Sequence, residues 1–113
     1  MIDIKQEKNA DHHKLQISQM QQIANRIRLG GGKKKIESQH NQNKFTARER
    51  IDFLIDDGSE FYELGTFAGE EMYEQYGGCP AAGVIVGIGT VSGQKVIIVA
   101  NDATVKAGAW FPI

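Results

Sequence analysis

Lys106 is the residue whose charge and setting are best suited to chemistry. It follows an apolar run and an Asn101-Asp102-Ala103-Thr104 turn, and it precedes Ala107-Gly108, a pair small enough to admit a phosphate or a backbone. An ammonium there can bind a phosphorylated ligand as a point charge, or it can face solvent. Asp102 stands where a strand ends, the position at which α/β folds carry their ligand loops. The same residue type also caps turns through backbone amides, and an Asp in an Asn-Asp turn does this more often than it meets a ligand. Asp102 and Lys106 are therefore the binding candidates that these residues offer.

The other chemistry-bearing groups read as structural. The 87–93 stretch, Gly-Ile-Gly-Thr-Val-Ser-Gly, misses the dinucleotide spacing by one residue, and its last glycine opens a strand rather than a helix. Gly30-Gly31-Gly32-Lys33-Lys34-Lys35 lacks the upstream glycine and the following Ser or Thr of a phosphate loop, so it reads as a helix stop followed by a basic patch. His12, His13 and His40 do not have metal-ligand spacing, and Cys79, next to Pro80, has no evident base beside it. No Ser-His-Asp arrangement can be argued, and no catalytic or metal-ligating residue is assigned.

The elements that must position the candidates differ between the two halves. In the first, Met20, Ile23, Ala24 and Ile27 fall on one helical stripe that Leu15 can extend, with Asn9 or Asp11 as the cap and the glycine triplet as the stop. A short polar helix over 36–40 follows. Thr46-Ala47-Arg48-Glu49 spells a capping box for a third helix whose inner face is Ala47, Ile51, Leu54 and Ile55, with Gly58 suited to the residue after its C-cap. Arg48, Arg50 and Asp52 lie off that stripe. In the second half, residues 61–64 suit a short strand, and 83–91 and 95–100 two long ones rich in Val and Ile. Val84, Val86 and Ile88 share one face; Ile85, Gly87, Gly89 and Val91 share the other, where the glycines predict close approach of a backbone or an aromatic ring. Both strands read as sheltered on both faces, which this sequence alone has little left to provide. The stretch between Phe67 and Pro80 remains unassigned.

Composition bounds the reading. The 113 residues, 41% hydrophobic and 24% charged, suffice for one modest domain. A net charge of -1 gives no basic field for nucleic acid or anionic lipid, and no apolar run approaches the roughly 20 residues of a membrane span. The polar N-terminus lacks a signal-peptide core, and the single cysteine cannot form an internal disulfide. The expectation is an intracellular, cytoplasmic protein without nucleic-acid or membrane partners.

Taken in order, Gly30-Gly31-Gly32, Lys35-Ile36-Glu37-Ser38-Gln39-His40, Phe45-Thr46-Ala47-Arg48-Glu49-Arg50-Ile51 and the run from Val99 to Pro112 resemble the carboxyltransferase (β) subunit of biotin-dependent acyl-CoA carboxylases. The resemblance covers about 29–113. The form Asn-Asp-Ala-Thr-Val-Lys-Ala-Gly-Ala-Trp-Phe-Pro is more like the methylcrotonyl-CoA branch than the propionyl-CoA branch. It implies an α/β fold, with an N-terminal helical segment (1–44) followed by the opening strands of a crotonase-type ββα spiral (45–113), incomplete in this chain. It also implies a β subunit several times longer, an α subunit or domain that carries biotin and its carboxylase, an acyl-CoA substrate and a homo-oligomer of β subunits. In the family, backbone amides of glycine-rich loops hold the developing oxyanions. Those loops fall downstream of this sequence, so the chain alone is expected to be inactive. The 101–106 loop, with Asn101, Asp102 and Lys106, would form part of the coenzyme A cradle. A biotin-dependent acyl-CoA decarboxylase subunit shares the fold and is the nearest alternative. A non-catalytic binding or assembly module is the other.

Overall fold

The computed structural model describes residues 3–110 and Pro112. Phe111 and Ile113, both within the stretch that the resemblance covers, lie outside the described residues. Helix α1 spans Ile4–Ile27 and starts upstream of the expected caps, because the Asp3 carboxylate accepts the Lys5 amide at 2.9 Å. Of its apolar stripe only Ile27 is buried; Ile23 and Ala24 are half-buried, and Leu15 and Met20 are exposed. Most of α1 therefore has no packing partner among the described residues. The radius of gyration, 17.3 Å, exceeds the about 13 Å of a compact domain this size for the same reason.

Helix α2 (Lys33–Asn41) is longer than expected and takes all three lysines into its first turn, behind a Gly32 N-cap that offers no side-chain bond. Three cations at the positive end of the helix dipole are unfavourable, so α2 depends on its neighbours. One such contact is the 2.7 Å bond between His40 Nε2 and Glu49 Oε1.

Helix α3 (Ala47–Leu54) carries the expected capping box: Thr46 Oγ1 accepts the Glu49 amide at 3.3 Å, and Glu49 Oε2 accepts the Thr46 amide at 3.0 Å. Its end differs from expectation. Ile55 is an extended C-cap, and Gly58 (φ +75°) belongs instead to the turn closed by the Ser59 amide on the Asp56 carbonyl at 3.0 Å. The Asp56 carboxylate then accepts the Ser92 and Gly93 amides at 2.7 and 2.8 Å, tying this corner to the strand hairpin.

The sheet is an antiparallel meander of β1 (Tyr62–Leu64), β2 (Val84–Val91) and β3 (Gln94–Asn101), in the order β1-β2-β3. Ser92 (φ +50°) and Gly93 (φ +78°) form its two-residue hairpin turn, whose twist matches that of the strands. Helix α3 covers one face, where Ala47 and Ile51 meet Ile85 and Ile98, with Ile55, Phe61, Val96 and Ala100 packed around them. Gly87 and Gly89 lie on this face as anticipated. A Cβ at Gly87 would overlap the Phe61 ring and the Tyr62 carbonyl oxygen, and one at Gly89 would stand 2.8 Å from Ile55 Cγ2. Arg48 reaches down from α3 to grip Glu63 of β1 with both terminal nitrogens, at 2.7 and 2.9 Å.

The opposite face is left open, as expected of strands whose cover this sequence has little left to provide. The cross-strand rows Tyr62–Ile88–Ile97 and Leu64–Val86–Val99 lie there uncovered, with Ile97 75% exposed. No helix among the described residues is long and apolar enough to cross a membrane.

Candidate functional site

The turn that ends β3 is built around a buried carboxylate. Asp102 Oδ1 accepts both the amide and the hydroxyl of Thr104, at 2.9 and 2.6 Å, while the Asp102 amide donates to the Gly83 carbonyl at 2.9 Å. A side chain bonding the amide two residues on is the geometry by which Asp makes a turn without help from a sheet. Thr104 Oγ1 in turn accepts the Gly31 amide at 2.9 Å. Amide, hydroxyl and carboxylate thus form one chain from the glycine triplet to Asp102, with Thr104 and Asp102 both buried. Gly31 is required sterically: a Cβ there would overlap the Thr104 carbonyl oxygen.

Beyond Thr104 the backbone turns left-handed for three residues, Lys106 (φ +48°), Ala107 (φ +56°) and Gly108 (φ +82°). For residues bearing a Cβ this conformation is strained by about 1–3 kcal/mol each, and it persists where the surroundings over-determine it. Here Val105, 3% exposed against Gly83 and bonded through its amide to the Asp102 carbonyl, fixes the entry. The Gly108 amide on the Val105 carbonyl and the Ala109 amide on the Lys106 carbonyl, at 2.9 and 3.1 Å, close the turn.

The three candidate residues do not converge on one pocket. Asp102 points inward and is spent on Thr104. Lys106 is half-buried and directs Nζ toward Gly77 of the 65–83 connector, where a Cβ would stand 3.7 Å away. Gly77 and Gly78 line a cleft of ≈ 270 Å³ between the end of α1 and the connector, which also holds Arg26, Glu70 and Glu74; Arg26 and Glu70 are ion-paired. Asn101 instead faces the other side. Its Oδ1 accepts the indole N–H of Trp110 at 2.9 Å, so it fixes an exposed ring rather than a backbone amide.

Asn101 and Ala107 end a larger groove, ≈ 990 Å³, between α3 and β3, lined by Arg50 and Leu54 of α3 and by Lys44 and Phe45 just before it. Cation and apolar surface together suit an amphipathic anion. Sequence reading missed Thr104, Gly31 and the Asn101–Trp110 bond. Asp-x-Thr at a strand end was the available signal for the first, and three glycines where one would stop a helix was the signal for the second. Nothing local announces the third, which spans nine residues.

The carboxyl transferase domain is matched over residues 38–113. Among curated relatives, the chain is 40% identical over 97 residues to the methylcrotonoyl-CoA carboxylase beta chain of Arabidopsis thaliana, covering 86% of this chain and 16% of that one. It is 42% identical over 91 residues to the methylmalonyl-CoA decarboxylase subunit alpha of Veillonella parvula, covering 74% and 17%. Among solved structures, transcarboxylase 12S, a hexamer solved with methylmalonyl-coenzyme A, superposes with a TM-score of 0.73 at 36% identity over 82% of this chain and 18% of that one. The chain therefore spans under a fifth of the length of the relatives it matches.

Proposed function

This chain belongs to the carboxyl transferase domain family, and from that premise we propose that it is a segment of the carboxyltransferase subunit of a biotin-dependent acyl-CoA carboxylase. The carrying observation is the match over 38–113, which includes α3, the meander and the whole turn after β3. The α3-covered sheet supports the opening of a crotonase-type ββα spiral, preceded by the helical segment 1–44. The full subunit takes the carboxyl group of carboxybiotin, presented by an α subunit, and places it on an acyl-CoA; methylcrotonyl-CoA is the proposed substrate type. It works as a homo-oligomer in the cytoplasm.

Biotin supplies the transferable carboxyl group. The residues of this chain bind and orient the coenzyme A part of the substrate. Lys106, half-buried beside the open Gly77-Gly78 backbone, meets a phosphate as a point charge. Asp102 holds the turn, and Asn101 holds Trp110 at the groove end.

The test is incorporation of labelled bicarbonate into a panel of acyl-CoAs by the full-length subunit with its biotin-carrying partner and ATP. Methylcrotonyl-CoA is expected to be carboxylated faster than propionyl-CoA, and no incorporation into any acyl-CoA overturns the reading. Likeness to the Veillonella subunit supports a second reading, an acyl-CoA decarboxylase component. Release of carbon dioxide from methylmalonyl-CoA without ATP, together with no carboxylation, would select it.

A further inference from the structure

We infer that Thr104 and Gly31 are positioning residues for Lys106, so that the glycine linker between α1 and α2 sets the affinity for the coenzyme phosphate. The inference rests on the reading of Lys106 as a coenzyme contact. Four observations carry it. The Gly31 amide, the Thr104 hydroxyl and the Asp102 carboxylate form a continuous chain at 2.9 and 2.6 Å, buried at Thr104 and Asp102. Gly31 lies against the Thr104 backbone so closely that no side chain fits between them, which locks linker to turn. Lys106, two residues on, holds a left-handed conformation that a lysine rarely adopts unconstrained. The residue between Thr104 and Lys106, Val105, is tied through its amide to the Asp102 carbonyl, so the entry to the Lys106 turn starts from the residue that the chain holds. Removing the Thr104 hydroxyl strands the Gly31 amide and one lone pair of a buried carboxylate. The turn can then relax toward ordinary backbone angles and carry the ammonium away from Gly77.

The test uses the full-length subunit with its partner and measures KM for acyl-CoA and kcat for Thr104→Val, Thr104→Ser, Lys106→Ala and the Thr104→Val/Lys106→Ala double variant. Thr104→Val, which removes both hydrogen bonds of the hydroxyl, should raise KM about threefold to tenfold by weakening the Lys106 contact, with kcat nearly constant. Thr104→Ser keeps the hydroxyl and should restore the wild-type KM. The double variant should show the KM of Lys106→Ala alone, because a residue acting through another adds nothing once that one is gone. Additive effects, or a normal KM in Thr104→Val beside a raised one in Lys106→Ala, overturn the inference and leave the coenzyme reading standing. An unchanged KM in Lys106→Ala removes both. If Thr104→Val does not fold, Asp102→Ala, which removes the acceptor of the Thr104 amide and hydroxyl, tests the same chain from its other end. A raised KM there, again masked by Lys106→Ala, supports the inference, and an unchanged or additive KM overturns it.

Discussion

Gly87 shows how little freedom a single position in this sheet retains. The space where its Cβ would lie is taken by the Phe61 ring and the Tyr62 carbonyl oxygen. A ring can swing aside, but a strand carbonyl cannot move without breaking the β1–β2 pairing. Gly87→Ala should therefore destabilise the fold by about 1–3 kcal/mol, the range for overpacking a well-filled core. Denaturant unfolding of the two chains checks this, and equal midpoints would refute it. At the same scale Arg48 is held in an end-on fork by Glu63 while its Nε is buried without a partner among the described residues. The ion pair fixes α3 over β1, at the cost of that one donor.

Among the elements, α3 depends most visibly on its cap. Thr46→Ala removes the acceptor for the Glu49 amide and should cost about 1 kcal/mol. Glu49 makes the same cap sensitive to acid. Its carboxyl lies below the ordinary glutamate range, first because it accepts the Thr46 amide and further because it bonds His40. A carboxyl with a folded value below its unfolded one stabilises the fold above the unfolded value, and this contribution fades as pH falls through the folded one. The α2–α3 corner should accordingly loosen on acidification below the usual glutamate range, and Glu49→Gln should flatten the dependence. Melting temperature against pH for the two chains measures it; parallel curves would contradict the assignment.

The molecule as a whole is one-sided. Helix α3 seals one face of the meander, while the rows through Tyr62, Ile88 and Ile97 and through Leu64, Val86 and Val99 stay open. A contiguous apolar sheet face of this kind promotes association. Residues 1–113 by themselves should sediment as oligomers or aggregates, and Ile97→Lys with Val99→Lys should shift them toward monomer. A monodisperse wild-type monomer would contradict this. The same isolated chain should transfer no carboxyl group, and turnover above background in a carboxybiotin assay would sink that expectation.

Sequence alone determined whatever depends on near neighbours. The capping box of α3, the glycine stop of α1, the two long strands and the close approach at Gly87 all follow from spacings of a few residues, since backbone geometry repeats over that range. The turn after β3 was legible as a turn for the same reason, because Asp102 bonds Thr104 two residues on. Tertiary structure alone decided what crosses the chain. It paired Gly31 with Thr104 across 73 residues and Arg48 with Glu63 across 15, and it sent Asn101 and Lys106 to opposite sides of one turn. The strands' apolar periodicity showed that two faces wanted cover, but it could not show that α3 would cover only one. Which surfaces meet is set by packing among distant segments, and local spacing carries no record of that.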